Sequence, residues 1–402
     1  MNILIWATTL QADILSLAFY IDSSDANLTI VTENPENFRK EPVFRFKPLK
    51  APILDMKHPD IERTVASFKP DVVVADNHMP VFLKKIKFCT MWHGLGWKAR
   101  GKSDINQFYK NIESITGNNP RKPSKNFMAQ CYGIPDRDWR IEQWKLHPGS
   151  CKITGMAFSD LLLNPPYTKK DLQQYYSIDI LNKKVVLLSV SWHYGRIISE
   201  NQNKGLLSWK NGIATDMEFL DTVLGTIHSK GANCIFCLHD RKRYEPQYLE
   251  AIQDIVRMYP NVMVKHKSDH PDNLSDLIVS DIMVSNLSSF ITYFYFRGLP
   301  SVHIIPSDRS NEKLRLAQIK RGRVSYRTLS GNEQIYMNDP EDNGGITAWN
   351  LQGVADGIIH GLENPDCCRE KSRSWIDRHI YKPDGSSAMR FFEVLQEFGG
   401  GN

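Results

Sequence analysis

The sequence predicts an α/β fold from its pattern of apolar runs, two to three domains from its length, and a globular protein from its composition. Short apolar runs followed by amphipathic stretches recur along the chain, which is typical of strand-helix units around a parallel sheet. The pattern appears in both halves, and 402 residues suffice for two to three domains of about 150 residues each. Hydrophobic residues make up 41% of the chain and charged residues 24%, the balance of an ordinary globular protein.

The first half contains several apolar runs of strand length. The run at Val72–Ala75 follows the breaker Lys69-Pro70-Asp71, which marks its start. The opening run has no basic region before it, so we interpret it as a strand and not as an export signal. The predicted strands are Ile3–Trp6, Leu28–Thr32, Val72–Ala75 and Phe88–Trp92. Together they predict a first Rossmann-like domain.

The second half shows a clearer alternation of strands and helices. Helical spacing relates Met217, Leu220, Val223, Leu224 and Ile227, and again Leu249, Ile252, Ile255 and Val256. A further helix is predicted from Ser288 to Phe296. The predicted strands are Val185–Val190, Cys234–Leu238, Val262–Val264, Ile282–Val284 and Ser301–Ile305. They predict a second Rossmann-like domain.

The segment Asn164-Pro165-Pro166-Tyr167-Thr168 predicts a hinge between the halves, because consecutive prolines stop helices and stiffen an extended connection. We place the domain boundary near residue 170. Two such domains facing each other form a cleft, and ligands of open α/β sheets bind at the carboxyl ends of the strands. Catalytic residues are therefore expected just after strands.

Charge and cysteine content narrow the function classes. The 50 Lys and Arg exceed the 45 Asp and Glu by a net charge of +5, which is too mild to require nucleic acid but fits an anionic ligand or membrane surface. Seven cysteines without the spacing of a zinc ribbon favour a reducing compartment. No run approaches the roughly 18 apolar residues of a membrane span. We therefore expect a cytoplasmic protein.

Positive charge is concentrated between Arg309 and Arg327, where a single acid, Glu312, stands among many Lys and Arg residues. Two interpretations remain open. The stretch is either a solvated helix face, as charge runs usually are, or a contact to phosphate or anionic lipid.

The first candidate for chemistry is a histidine after the Phe88–Trp92 run. His93 has an ordinary pKa of about 6.5, which suits a general base near neutral pH. Gly94 lets a ligand approach the backbone closely, and Lys98 and Arg100 can neutralise an anion. The alternative is a histidine that only caps a strand end beside a turn.

A second histidine, His239, follows the Cys234–Leu238 run in the other half. It can hydrogen-bond a phosphate, with Arg241 or Arg243 supplying a fixed positive charge or a forked donor. Cys234 and Cys237 have a Cys-x-x-Cys spacing, but residues three apart on a strand face opposite sides. We therefore expect no redox or metal role for this pair.

The third candidate is a strand that leads through a polar turn to a helix start. Ser285, Ser288 and Ser289 lie in this turn, where serine hydroxyls and the free N–H groups of a helix start bind phosphate oxygens. The alternative is a plain N-cap serine. Lesser candidates, for contact with a nucleotide, follow the Val185–Val190 run and are Ser191, Trp192 and Arg196.

In their order and spacing, these segments resemble the CDP-glycerol glycerophosphotransferase family, the teichoic-acid primases and polymerases of bacterial walls and the related capsule enzymes. That family's Trp-His-Gly-Thr-x-x-Lys is similar to Trp92-His93-Gly94-Leu95-Gly96-Trp97-Lys98, and its Leu-His-Pro to Leu238-His239-Asp240. The other similar segments are Thr154-Gly155 with Asp160 and Leu161, Ser189-Val190-Ser191-Trp192-His193, Asp281 with Ser285-Asn286-Leu287-Ser288-Ser289, Leu299-Pro300, and Asp384-Gly385 with Arg390.

The resemblance implies a GT-B architecture. Residues 1–170 would form the acceptor side, residues 171–375 the nucleotide-donor side, and a helix in residues 376–402 would pack back on the first domain. The implied activity is transfer of a polyol phosphate, glycerol phosphate first of all, from a CDP-activated donor to a hydroxyl of a lipid-linked saccharide or polymer, releasing CMP. Such a transferase serves cell-wall, capsule or surface-polysaccharide synthesis as a peripheral protein on the inner face of the cell membrane.

The resemblance also implies roles for single residues. His93 would act as general base, and Ser288 and Ser289 would hold the pyrophosphate. His239 and Arg241 would stabilise charge on the phosphoryl oxygens and the departing CMP, with Lys98 a weaker candidate there. No cofactor, obligatory metal or nucleic acid partner is expected.

Two other functions stay open. A GT-B glycosyltransferase that uses a nucleotide sugar, or a sugar-nucleotide epimerase, shares the fold. Asn286 and Tyr293, which stand where the family has aspartates, favour another donor. The second alternative is a non-catalytic nucleotide-binding subunit of a polysaccharide assembly complex, against which His93 and His239 argue.

Overall fold

Two parallel sheets, one from each half of the chain, form the frame of the protein in a computed structural model. The structure describes residues 1–76, 78–91, 94–95, 105–190, 216–238, 244, 246–286, 288–305, 339 and 341–400, and the backbone alone of 102–104, 315–320 and 323–328.

The first sheet is formed by strands β1 (Asn2–Trp6), β2 (Asn27–Thr32), β3 (Ile53–Asp55), β4 (Val72–Ala75), β5 (Lys87–Thr90), β6 (Phe127–Cys131) and β7 (Cys151–Ile153). They pair in parallel in the order β3-β2-β1-β4-β5-β6-β7, which is the Rossmann order with one added strand. The helices of this half are α1 (Ala12–Asp22), α2 (Pro35–Arg39), α3 (Pro42–Phe46), α4 (Ile61–Phe68), α5 (Lys102–Thr116), α6 (Ile134–Gln143), α7 (Phe158–Leu163) and α8 (Lys169–Leu172).

The second half contains strands β8 (Val185–Ser189), β9 (Asn233–Leu238), β10 (Val262–His266), β11 (Ile282–Ser285), β12 (Ser301–Ile304), β13 (Arg315–Lys320), β14 (Arg323–Thr328) and β15 (Ile346–Ala348). The parallel sheet has the order β10-β9-β8-β11-β12-β15, again the Rossmann order. The helices are α9 (Asp216–Ser229), α10 (Pro246–Arg257), α11 (Leu274–Val279), α12 (Phe290–Phe294), α13 (Leu351–Glu363), α14 (Arg369–His379) and α15 (Ser387–Gly400).

Each predicted strand is present within two residues at either end, and the predicted α/β class is confirmed. The helix predicted from Ser288 begins two residues later, at Phe290, and continues as a 3₁₀ turn over Tyr295–Arg297. The helix-face interpretation of the basic stretch is wrong. Within Arg309–Arg327 the described residues form the antiparallel hairpin β13–β14, and in the second strand Val324 and Tyr326 alternate in sequence with polar residues, as is typical of a strand.

One apolar core extends through both halves. It joins Ile5 and Leu15 of the first half to Leu277, Tyr293 and Trp375 of the second. Separate clusters fill the outer layer of each half. The last helix, α15, returns to pack against α1, where the rings of Tyr20 and Phe392 lie 5.7 Å apart. The two halves therefore share apolar packing as well as a connecting segment.

The predicted hinge segment is exposed at Asn164, Pro165 and Thr168, and Tyr167 anchors it to this shared core. Tyr167 and Tyr176 are buried there, and Thr168 begins α8 with a capping box to Asp171. Lys169 forms an ion pair of 3.1 Å with Asp281 at the start of β11. The connection thus has fixed contacts, and a domain boundary near residue 170 stays a proposal.

Buried charge also lies between the halves. Glu41 of the first half is buried, and its Oε1 lies 3.4 Å from Nδ1 of His270 in the second half. Asp272 is 1% exposed; its Oδ1 accepts the N–H of Leu274 at 2.8 Å, and its Oδ2 has no hydrogen-bond partner among the described residues. Burial raises the pKa of Asp272 to about 7, and the charge of Glu41 is the second largest cause of this increase. The carboxyl therefore keeps its proton in the folded protein at mildly acidic pH.

We expect Asp272→Asn to flatten the pH dependence of folding stability. The folded pKa lies above the ordinary value of 3.8, so the neutral carboxyl favours folding at low pH, and this contribution is lost as pH rises through about 7. The wild type should lose on the order of 3 kcal/mol of unfolding free energy that the variant does not lose. Urea unfolding of both proteins, at a series of pH values from below 3.8 to above about 7, measures this difference in unfolding free energy.

The matched control is Asp254→Asn, which removes a carboxylate from an exposed ion pair with Arg257. Its unfolding free energy should follow the wild-type pH profile. Equal pH profiles for the wild type and Asp272→Asn would contradict the assignment.

Candidate functional site

The candidate site lies at the carboxyl edges of the two sheets, where ligands of open α/β sheets bind. The strand order reverses between β1 and β4 in the first sheet and between β8 and β11 in the second. Gly94 follows β5, and Ser288 and Ser289 follow β11. Both turns therefore leave their sheet at the edge that faces the cleft.

Gly94 and Ser289 bring these two turns into contact. Gly94 has a φ of +113°, a backbone conformation that favours glycine. A Cβ at this position would lie 2.9 Å from both Cβ and Oγ of Ser289, and 3.1 Å from Oη of Tyr293. The opposite half thus occupies the space that a side chain would need. The first and third sequence motifs meet across the cleft at this glycine.

The three predicted serines have different surroundings. Ser285 is fully buried, and its hydroxyl donates to the carbonyl of Ser189, which ties the end of β11 to the end of β8. Ser288 Oγ accepts the N–H of Phe290 at 3.3 Å, one residue before the N-cap position of α12, which is Ser289 and has no side-chain capping bond. Ser288 and Ser289 are half-buried. They can reach a ligand in the cleft, whereas the hydroxyl of Ser285 is engaged between the strands.

The other predicted site residues lie outside the described residues. They are His93, Lys98, Ser191, Trp192, Arg196, His239 and Arg241. The strands before them are described, and β5, β8 and β9 end at Thr90, Ser189 and Leu238. The roles of these residues stay predictions.

A buried carboxylate that the sequence analysis missed lies behind the Gly94 turn. Oδ1 of Asp13 accepts the N–H of Phe158 at 2.9 Å, and Oδ2 accepts the hydroxyls of Tyr132, at 3.1 Å, and Tyr293. Tyr132 Oη in turn accepts the N–H of Gly94 at 2.7 Å. Because Tyr293 belongs to the second half, this cluster joins the two halves. The only sequence signal was an acid in the first turn of the largely apolar helix α1.

Burial is the main influence on the titration of this cluster. It raises the pKa of Asp13 to about 6, while the hydrogen bonds from Tyr293, Phe158 and Tyr132 act in the opposite direction. Burial, with the charge of Asp13 added, also raises the pKa of both phenols. Near neutral pH we therefore expect an ionised carboxylate between two neutral phenols.

Asp76, at the end of β4, orders a neighbouring loop. Its Oδ2 accepts the hydroxyl of Thr8 at 3.1 Å and the N–H of the same residue at 3.3 Å, and its Oδ1 accepts the N–H of His78 at 2.9 Å. These bonds tie the loops after β1 and β4 together where the strand order reverses. Asp76 therefore fixes the relative position of these two loops at the carboxyl edge of the first sheet.

The side chains of Cys234 and Cys237 face opposite sides of the sheet, as predicted, since Cys234 lies in the outer core of the second half and Cys237 packs on the shared core.

Within the described ranges, no group of His, Cys, Asp and Glu is arranged to hold a metal ion. Of the helices in the described part of the chain, none has the length and apolar character that crossing a membrane requires.

Comparison with solved structures identifies the architecture. The wall teichoic acid polymerase TagF superposes with a TM-score of 0.66 at 13% identity, over 99% of this chain and 89% of that chain. A variant of TagF gives a TM-score of 0.68, and a variant soaked with CDPG gives 0.66, each at 13% identity and the same coverage. No family model and no curated protein matches the sequence.

A second kind of solved structure is also similar. The UDP-GlcNAc 2-epimerase from Neisseria meningitidis, bound to UDP-GlcNAc, gives a TM-score of 0.56 at 13% identity, over 99% of this chain and 100% of that chain. These likenesses and the two facing Rossmann-type sheets show a GT-B fold, as predicted. At this identity the comparisons establish the fold, and function requires a separate argument.

We expect Gly94→Ala to lower the free energy of unfolding by roughly 1–3 kcal/mol, because the new Cβ meets Ser289 and the φ is strained. The matched control is Gly117→Ala, at a φ of +74° with nothing within 4 Å of the new Cβ, which isolates the backbone effect. Urea unfolding compares the two variants. A loss for Gly94→Ala no larger than that for Gly117→Ala would disprove the close contact between the turns.

Proposed function

We propose that the protein transfers a polyol phosphate, with glycerol phosphate as the first candidate, from a CDP-activated donor to a hydroxyl of a lipid-linked saccharide or polymer, releasing CMP. The observation that carries this proposal is the contact of Gly94 with Ser289. It joins the turn that contains His93 in the sequence to the polar turn before α12. The likeness to TagF, and the CDPG soak of a TagF variant, support cytidine donors as the first to test.

In the proposed reaction, His93 takes the proton of the acceptor hydroxyl. The acceptor oxygen forms a bond to the β-phosphorus of the donor, while the bond from that phosphorus to the bridging oxygen breaks. CMP leaves with the bridging oxygen and its electron pair. The products are CMP and an acceptor that carries the polyol phosphate.

Hydrogen-bond donors and cations must lie near the phosphoryl group to stabilise the negative charge on its oxygens. Ser288 suits this role, because a hydroxyl that accepts one hydrogen bond still has its own hydrogen to donate. We propose that Ser288 and Ser289 bind the pyrophosphate of the donor. His239 and Arg241 stabilise the negative charge on the departing CMP. Lys98 is a weaker candidate for the same charge.

A lipid-linked acceptor would place the reaction at the inner face of the cell membrane, in cell-wall, capsule or surface-polysaccharide synthesis. The hairpin β13–β14 supports this placement, since its two strands contain Arg315, Lys320, Arg323 and Arg327 in sequence. Each Lys or Arg near an anionic surface contributes about 1 kcal/mol of attraction. We therefore propose the hairpin as the membrane contact.

A second candidate function is an enzyme that acts on a nucleotide sugar, either a glycosyltransferase or an epimerase. The likeness to the UDP-GlcNAc 2-epimerase favours it. So does Asn286, which is buried where the resembling family has an aspartate. A non-catalytic nucleotide-binding subunit would bind a nucleotide without turnover, so the same experiments separate all three functions.

We expect cytidine nucleotides to raise the melting temperature of the protein. At roughly 100 times its dissociation constant, a ligand of the folded state adds about 2.7 kcal/mol of stability. The measurement is a thermal-shift panel of CDP-glycerol, CDP-ribitol, CMP, UDP-GlcNAc and GDP-mannose, followed by an assay of CMP release. Stabilisation by UDP-GlcNAc or GDP-mannose and none by CMP would make the protein a nucleotide-sugar enzyme instead.

We expect His93→Ala to fold normally and to lower the turnover number by roughly a hundredfold or more, because a positioned general base contributes about 10²- to 10⁴-fold. CMP release with the preferred donor measures this loss. The control is His58→Ala, at an exposed loop position where the ring accepts the N–H of Asp60 at 3.1 Å, and it should keep wild-type turnover. Full activity of His93→Ala would remove this histidine from the mechanism.

A further inference from the structure

A chain of hydrogen bonds runs from the Gly94 turn to the second half of the molecule. The N–H of Gly94 donates to Tyr132, Tyr132 donates to Asp13 Oδ2, and Tyr293 of α12 donates to the same oxygen. The side chains of Asp13, Tyr132 and Tyr293 are each 0 to 1% exposed. The two turns of the candidate site are therefore linked through the protein interior.

The carboxylate sets the direction of each bond in this chain. An ionised carboxylate only accepts hydrogen bonds, so both phenols must donate to it. The Tyr132 hydroxyl, which donates to the carboxylate, accepts the N–H of Gly94. Because the N–H of Phe158 holds Oδ1 at 2.9 Å, the carboxylate of Asp13 has a fixed orientation. The geometry of Gly94 thus depends on Asp13 through the hydroxyl of Tyr132.

The same cluster lies where the two halves meet. A Cβ on Gly94 would lie 3.1 Å from the Tyr293 hydroxyl and 2.9 Å from Ser289 Oγ. Both hydroxyls therefore lie beside Gly94, where the two turns meet. The ring of Tyr293 packs edge-on against Phe158 of the first half, with centroids 4.8 Å apart. A change in the direction of either phenol hydroxyl would therefore affect both turns.

We propose that Asp13 is a positioning residue of the transfer reaction, whose carboxylate orients Tyr132 and Tyr293 so that the Gly94 turn is held against the Ser289 turn. The inference rests on the proposed function, because Gly94 directly follows His93 in the sequence. Asp13 acts through the two phenols and does not touch the substrate. Its loss should therefore reduce the rate of transfer more than the binding of the donor.

Asp13→Asn tests this role with little change in shape. If the amide oxygen keeps the bond from Phe158, the NH₂ group takes the place of Oδ2. Two donors then face the phenol oxygens, and neither phenol can donate to residue 13. A second variant, Tyr293→Phe, removes only the hydroxyl that crosses between the halves. The matched control is Tyr176→Phe, because Tyr176 is also buried and donates to a buried carboxylate, that of Asp276, at 2.7 Å.

The first measurement is amide hydrogen exchange of the peptide that contains Gly94, in the protein without ligand. We expect roughly tenfold faster exchange in Asp13→Asn, a smaller increase in Tyr293→Phe, and the wild-type rate in Tyr176→Phe. The second measurement is donor kinetics. Asp13→Asn should lower kcat roughly tenfold to a hundredfold and leave the donor KM within about twofold of wild type.

The two measurements separate failure of this inference from failure of the proposed function. If the wild type turns over none of the cytidine donors, the proposed function fails, and the exchange rates still test the link from Asp13 to Gly94. Wild-type exchange and kcat in Asp13→Asn would overturn the inference, as would equal acceleration in Tyr176→Phe. If Asp13→Asn does not fold, Tyr293→Phe decides by the same two measurements.

Discussion

The close approach of Gly94 to Ser289 is the contact on which the rest of the site depends. It occurs between two separate sheets, so it requires that the two halves of the chain be held in one arrangement. The shared apolar core and the return of α15 to α1 provide that arrangement. The Asp13 cluster then fixes the turn itself. Packing thus sets the distance between the halves, and hydrogen bonds set the orientation of the groups at their contact.

The strands could be predicted from the sequence where burial on both faces gives an uninterrupted apolar run. The strands Val72–Ala75 and Val185–Ser189 contain such runs, at 72–75 and 185–188, and each strand lies in the interior of its sheet. β6 was missed because a polar residue interrupts it. Gln130 is fully buried, and its amide donates to the carbonyl of Gly155 at 2.8 Å, a contact that its sequence neighbourhood does not show. Short edge strands such as β3 and β7 give too few residues for a period to be recognised.

The candidate site was predictable only in part, and for a physical reason. Gly94, Ser288 and Ser289 follow strands, so their position at the carboxyl edges follows from local pattern. Asp13 could not be found in this way, since its partners Tyr132, Phe158 and Tyr293 lie 119, 145 and 280 residues further along the chain. A buried carboxylate is recognised by the donors around it. Only the folded chain brings those donors together.

Tyr293 shows why the cluster combines packing with polar contact. Its ring contributes to the shared core against Phe158, and its hydroxyl satisfies Asp13. A buried phenol without a partner, or a buried carboxylate without donors, would each cost free energy. If the two halves separated, the phenol of Tyr293 and the carboxylate of Asp13 would each need water as a hydrogen-bond partner. The pair therefore stabilises the contact between the halves, in addition to the stabilisation that comes from the apolar area it buries. The polar part of this preference depends on the ionisation of Asp13, whereas the apolar part does not.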